Sequence, residues 1–183
     1  MELKKEETLT SKYLFEGRVI KLRFDEVRLQ NGNASTREIV EHPGGVCIAP
    51  VDENGNVLMV RQYRRPFDQM LLEVPAGKLN YGEDPYECGV RELEEETGFT
   101  TDHMEFLGEA YLSPGFCNEV IHVYMTEHLI PGTLHPDEDE FINVERIPID
   151  QLVTMIMSGE IRDAKTQIAI LKLKNVLDQR NSN

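Results

Sequence analysis

The sequence predicts an α+β fold in two parts: a small antiparallel β domain over residues 1–41 and a larger mixed domain over residues 42–183. Three observations predict it. Residues 8–41 are strand-rich, with short turns and stretches that alternate apolar and polar side chains. Residues 46–147 read as further strands interrupted by one well-capped helix. Two more helical patterns close the chain.

Val19–Phe24 largely alternates, Asp25–Gln30 continues in that style, Asn31-Gly32-Asn33 turns, and Thr36–Val40 returns. This sheet is thin for a core of its own, so it must pack on something else, such as a partner subunit. Val46–Val51 is an apolar run, Asp52–Asn56 is a turn, and Val57–Gln62 comes back, which predicts a hairpin. Met70–Pro75 is a strand ended by Pro75 and Gly77. Asp84 suits an N-cap, Pro85 the first helical position, Glu87 a capping box, and Gly98 the C-terminus. The helix therefore spans about residues 85–97. Residues 104–112 and 119–126 are strands around the Ser113-Pro114-Gly115 turn, residues 129–139 a polar loop, and Phe141–Ile147 a strand. Helices follow at about 149–158 and about 163–178, the second with Ile170, Leu173, Val176 and Leu177 at helical spacing.

Composition narrows the partners. The 183 residues carry a formal net charge of −14, a surface that repels nucleic acid and anionic membranes. Neither is an expected partner, and an anionic substrate needs a metal or a local arginine cluster. Cys47, Cys88 and Cys117 are far apart with no CxxC, and read as free thiols in a reducing compartment. The N-terminus has no apolar leader, and no segment approaches the ~20 apolar residues of a membrane span. A cytoplasmic enzyme is the expectation.

The chemistry concentrates in residues 77–99, GKLNYGEDPYECGVRELEEETGF. At about 100° per residue, Tyr86, Val90, Leu93 and Thr97 form a core stripe, with Glu92, Glu95 and Glu96 on the other side. Glu92 and Glu96 repel one another at i,i+4 spacing, and a hard divalent cation turns that repulsion into attraction. A purely solvated acidic face has the same composition. Arg91 lies at the edge of the face, in reach of Glu87 and Glu95, where its fork can orient a carboxylate.

Gly77, Glu83, Arg91, Glu92, Leu93, Glu95, Glu96, Gly98 and Phe99 match the signature of the Nudix hydrolase family without departure, and the chain resembles that family along essentially its whole length. The resemblance implies an α/β/α sandwich, a mixed sheet between helices. Pro114 stands sixteen residues after Gly98 and, with Ser113, Gly115 and Glu119, resembles the substrate loop of the family's ADP-ribose pyrophosphatase subgroup. That resemblance implies metal-dependent hydrolysis of ADP-ribose to AMP and ribose 5-phosphate. The alternatives are another nucleoside diphosphate sugar, such as GDP-mannose, or ADP-ribose sensing without cleavage. It implies Mg²⁺, with Mn²⁺ as a substitute, held by Glu92, Glu95, Glu96, the Ala76 carbonyl and Glu140. It implies Glu138 as the catalytic base, assisted by Glu95 and Arg91, with the roles of Glu138 and Glu140 open to exchange. Substrate contacts fall to Arg37, Glu38, His42, Arg64, Lys78, Ser113, Pro114, Gly115 and Glu119. Arg18 and Val19 match positions donated by the partner subunit of a homodimer that exchanges the N-terminal domains. Glu73 is a candidate for the terminal ribose, and Glu83 stays open between an outer carboxylate and a structural one.

Overall fold

A computed structural model describes residues 3–135 and 141–182. The chain forms two compact units, Met1–Gly44 with Tyr111–Val120, and Gly45–Ala110 with Ile121–Asn183.

In the first unit, β1 (Glu7–Glu16), β2 (Lys21–Arg28) and β3 (Ala34–Glu41) form an antiparallel sheet in that order. All positions of β1 are exposed. The centre of the sheet is polar: Asp25, 3% exposed, accepts Ser11 Oγ at 2.6 Å and Arg23 Nε at 3.0 Å. Hydrogen bonding from Ser11, joined by Arg23, holds the Asp25 carboxyl below the usual range against its burial. The segment 111–120 docks on β3 through Val40 N donating to Phe116 O (2.7 Å) and Asn118 N donating to Val40 O (3.1 Å).

The second unit holds β4 (Gly45–Pro50), β5 (Asn56–Arg64), a 3-10 turn (Arg65–Phe67), β6 (Gln69–Glu73), β7 (Ala76–Lys78) and α1 (Pro85–Thr97). These are followed by β8 (Phe99–Thr100), β9 (Glu105–Tyr111), β10 (Val120–Thr126), β11 (Ile130–Pro131), β12 (Asn143–Pro148), α2 (Ile149–Met157) and α3 (Ala164–Asn181). One sheet has the order β7-β4-β10-β9, and it is mixed, with β4 antiparallel to β7 and parallel to β10. A second has the order β12-β5-β6, and β8 pairs with β11. Every residue of β4 is buried, because helices cover both of its faces. Val46 and Ile48 pack with Cys88 of α1, Leu79, Met104 and Tyr124. The alternate residue Cys47 feels Lys165 and Asp163 at the start of α3, and burial pushes its thiol up to about 12. The α+β architecture with a mixed sheet between helices is as expected. Among the described residues no helix is long and apolar enough to cross a membrane.

Two expectations need correction. The hairpin of residues 46–62 has its turn, closed by Gly55 N to Asp52 O at 3.0 Å, but β4 and β5 part into different sheets after the single bridge Val51–Val57. β4 finds longer ladders with the distant β7 and β10, and β5 with the distant β12 as well as with β6 just after it, and the turn between β4 and β5 does not outweigh those ladders. The chain also does not stop pairing at Pro75, since Ala76–Lys78 returns as β7 along Cys47–Gly45.

Candidate active site

The helix α1 starts and ends where its caps dictate. Asp84 accepts Tyr86 N at 2.8 Å and Glu87 N at 3.4 Å, and Gly98, at φ 73°, donates its N–H to Glu94 O at 2.9 Å. An L side chain at that φ is strained, which is why glycine ends the helix here. Leu93 is fully buried, and Tyr86 and Val90 only partly. The buried arc extends further round than the stripe predicts, because Glu96 is 1% exposed. Its Oε2 accepts Ala76 N at 2.9 Å, so the helix presses its acidic face on β7 rather than presenting it to water.

That close approach depends on Gly77. A Cβ added there would overlap the Glu92 carboxylate. Gly77→Ala leaves the backbone conformation accessible and the neighbour is the far end of a flexible side chain, so the fold should survive while Glu92 is pushed aside. We expect a melting temperature near that of the parent and a loss of turnover of up to about a hundredfold. Unchanged kinetics in a folded Gly77→Ala enzyme would separate Glu92 from the chemistry.

Arg91 organises the carboxylates. Its Nε and Nη2 donate to Glu83 at 3.0 and 3.2 Å, and its Nη1 donates to Glu92 (2.7 Å) and Glu95 (2.8 Å). Burial opposes its charge, but Glu83 and Glu92 outweigh it and raise its pKa further. The partner expected from helical spacing, Glu87, makes no ion pair with it among the described residues. Glu83 takes that place because Asn80 N donates to its Oε2 at 2.7 Å and folds the loop back over the helix. Glu83 is held low by the Arg91 hydrogen bond above all. Its contacts steady Arg91, which in turn holds Glu92 and Glu95.

Glu92, Glu95, Glu96 and the Ala76–Gly77 backbone thus meet at one face. Among the described residues no group of three or more His, Cys, Asp or Glu side chains stands in a metal-holding arrangement: Arg91 holds Glu92 and Glu95, and Glu96 turns to Ala76 N. The donor chemistry nevertheless fits a hard divalent cation, since it offers carboxylate and backbone oxygens where the Glu92 carboxylate lies against the side-chain-free Gly77. Glu138 and Glu140 lie outside the described residues.

Behind this face sits a charge cluster that the sequence does not announce. Arg64 Nε and Nη2 donate to Glu73 at 2.8 and 2.7 Å, and Lys165 Nζ donates to Glu73 Oε2. Asp163 Oδ2 lies 3.0 Å from Lys165 Nζ. Burial alone would raise the Glu73 carboxyl, but the Arg64 hydrogen bonds and the Lys165 charge hold it at about 2. Glu73 thus has both oxygens engaged inside this cluster. The charge of Glu96 also acts on Arg64. Lys78 is exposed on β7.

The remaining predicted residues gather in the first unit. A cleft of about 580 Å³ is lined by Arg37, Glu38, Pro114, Gly115 and Glu119, with Tyr111 and Phe116 adding aromatic walls. Ser113 O closes the turn by accepting Phe116 N (3.1 Å) and Cys117 N (2.9 Å). Arg37 Nε donates to Glu6 at 3.0 Å. His42 Nδ1 accepts Gly44 N–H at 3.1 Å in the neutral ring, with Glu119 Oε1 3.3 Å from the same nitrogen for the protonated one. Arg18 and Val19 are exposed in the turn between β1 and β2. A larger cavity of about 740 Å³ in the second unit meets residues 77–99 only at Phe99. Asp52, Glu53, Asp102 and Glu127 line it, a poor setting for a diphosphate.

Comparison with known proteins gives three findings. The NUDIX domain profile matches residues 41–167, and the profile of the nucleoside diphosphate sugar hydrolase N-terminal domain matches residues 6–48. The chain is 41% identical to an ADP-ribose pyrophosphatase of Bacillus subtilis over 97% of its length and 98% of the relative's. It is 42% identical to a methanol dehydrogenase activator of Bacillus methanolicus, covering 94% and 95%. A solved structure described as an ADP compounds hydrolase superposes with a TM-score of 0.88 at 22% identity, covering 98% of each chain, and so shares the fold.

Proposed function

Because the chain belongs to the Nudix family, we propose that it hydrolyses the diphosphate bond of ADP-ribose to AMP and ribose 5-phosphate. The observation that carries this reading is the face formed by Glu92, Glu95, Glu96 and the Ala76–Gly77 backbone, with the Arg64 guanidinium close enough to feel Glu96. The name of the Bacillus subtilis relative supports ADP-ribose as substrate. So does the aromatic and polar cleft of the first unit, whose volume suits a nucleoside.

Glu92, Glu95, Glu96, the Ala76 carbonyl and Glu140 would hold Mg²⁺, which Mn²⁺ could replace. When bound, the cation neutralises diphosphate charge and acidifies a water. Arg91 keeps Glu92 and Glu95 oriented. Arg64 and Lys78 grip phosphoryl oxygens, supplying fixed positive charge where negative charge develops. Glu138 takes the proton of the attacking water. Arg37, Glu38, His42, Ser113, Pro114, Gly115 and Glu119 contact the substrate around the first unit's cleft.

A homodimer belongs to the same proposal, with Arg18 and Val19 given to the partner's site. Its support is β1, an edge strand exposed throughout that displays Leu9, Tyr13, Leu14 and Phe15. Such an edge invites pairing with another chain. The free thiols Cys47, Cys88 and Cys117 support a reducing, cytoplasmic setting. Sedimentation at low concentration giving a fully active monomer would defeat the dimer.

Phosphate release by a coupled phosphatase, over a panel of ADP-ribose, GDP-mannose and other nucleoside diphosphate sugars, tests the substrate. Release from ADP-ribose at the highest kcat/KM supports the proposal, preference for another sugar moves the specificity, and tight ADP-ribose binding without release makes the chain a sensor. A methanol dehydrogenase added to the same assay tests the second reading, an activator, which the Bacillus methanolicus relative favours. For the base, Glu138→Gln should lower kcat roughly a hundredfold with little change in KM. If Glu140→Gln is the crippled variant instead, the two glutamates exchange roles.

A further inference from the structure

Lys165 is 8% exposed, and lysine is almost never buried without partners. Its Nζ sits between two carboxylates, donating to Glu73 Oε2 and lying 3.0 Å from Asp163 Oδ2. Glu73, itself 1% exposed, gives both oxygens to Arg64 as well. One carboxylate therefore serves two cations. Facing Arg64 alone, it would neutralise the guanidinium. Asp163 adds a second carboxylate, so two carboxylates balance Arg64 and Lys165, and without Lys165 the cluster would carry net negative charge beside the Arg64 N–H groups not spent on Glu73.

The two cations also differ in what they can reach. The Arg64 side chain is 37% exposed and that of Lys165 only 11%, so an anion from solvent meets Arg64. The support behind Arg64 is rigid. Asp163 caps α3 by accepting Thr166 N at 2.9 Å and Thr166 Oγ1 at 2.6 Å, and the same Thr166 Oγ1 accepts Val74 N at 3.1 Å. The start of α3 is thereby tied to the residue after Glu73, two residues before Ala76. A binding group set on helix and strand and locked from behind is held more closely than one on a loop.

We propose that Lys165 is a positioning residue for anion recognition: by engaging Glu73 and offsetting the carboxylate charge of the cluster, it keeps the Arg64 fork in one orientation and prevents net negative charge from building up beside it, so that Arg64 can grip a diphosphate. This rests on the reading of Arg64 as a phosphate-binding group.

The test measures binding of inorganic pyrophosphate by calorimetry at saturating Mg²⁺, beside steady-state kinetics on ADP-ribose and a melting curve for each variant. Lys165→Met and Lys165→Gln should each weaken pyrophosphate binding and raise KM about tenfold, with kcat changed less than about twofold. Lys165→Gln keeps a donor to Glu73 without the charge, so it isolates the charge and stands in if Lys165→Met fails to fold. Lys165→Arg should stay within about twofold of the parent. In an Arg64→Gln background the Lys165 changes should add nothing, because their effect passes through Arg64. Three results would overturn the proposal: folded Lys165→Gln with parental binding, a tenfold loss in folded Lys165→Arg, or losses that add to that of Arg64→Gln. Pyrophosphate affinity indifferent to Arg64→Gln would overturn it too. A parent enzyme that binds pyrophosphate through Arg64 yet releases nothing from ADP-ribose would sink the substrate reading and leave Lys165 standing.

Discussion

Glu96→Gln should cut kcat by about a thousandfold while leaving the protein as stable as its parent or slightly more so. The two halves of that expectation come from the same geometry. Glu96 is buried, and its Oε2 accepts Ala76 N at 2.9 Å. A glutamine keeps an oxygen for that N–H, so the backbone donor is not stranded, which otherwise costs about 1–3 kcal/mol. It also removes one of two like charges at i,i+4 spacing, since Glu92 lies on the preceding turn, and this relieves a few tenths of a kcal/mol (~0.3). The Arg64 charge, which Glu96 also feels, works the other way, so stability should stay close to that of the parent, and holding a cation is the role the proposed chemistry gives this carboxylate. Kinetics over a Mg²⁺ titration, with melting curves for both proteins, check the pairing. Near-parental turnover in Glu96→Gln removes Glu96 from the site, whereas a large fall in melting temperature with kcat preserved makes it a structural residue.

How much of this was legible in the sequence depended on how local the cause was. The bounds of α1 follow from Asp84, Pro85 and Gly98, which act on their own neighbours, and the structure reproduces them at Pro85–Thr97. The family and its mixed α+β fold were legible through the fixed spacing of residues 77–99. Strand pairing was not. The run 46–50 and the run 57–62 look like a hairpin because the turn between them is good, yet β4 takes β7 and β10, and β5 takes β6 and β12. Only β6, which follows β5 across the short turn at Arg65–Phe67, is a local partner, and β7, β10 and β12 lie far along the chain. The same limit hid the cluster around Glu73. A lysine at position 165 reads as an ordinary helix-surface residue, and only the tertiary fold brings it to Glu73 of β6, far away in sequence. Arg91 is an intermediate case: helical spacing offers Glu87 and Glu95, the structure uses Glu95 and replaces Glu87 with Glu83, and the difference lies in a loop held by Asn80.

Replacing Glu73 with glutamine should destabilise the protein by about 3 kcal/mol at neutral pH, because it leaves Arg64 and Lys165 without the buried carboxylate that both face. For a chain of this size that lowers the melting temperature by about 6–12 °C. The pH dependence distinguishes this charge effect from a packing defect. In the folded protein the Glu73 carboxyl lies at about 2, against 4.5 in its ordinary state. Between these values the unfolded chain takes up the proton and the folded chain does not, so stability falls as pH falls. The Glu73 contribution, on the order of 3 kcal/mol, is therefore fully present above about pH 4.5 and lost as the pH drops through about 2. Asp25, Asp52 and Glu83 are also held below the usual carboxylate range, so the parent alone will show a composite acid transition. The difference between parent and Glu73→Gln isolates the one group. Denaturant unfolding of both proteins from pH 7 to pH 2.5 should show a constant gap at the upper end that narrows steadily below pH 4.5. A gap that keeps its full size to pH 2.5 would mean that the substitution costs packing rather than charge, and that Glu73 does not carry the electrostatic tie between Arg64 and Lys165.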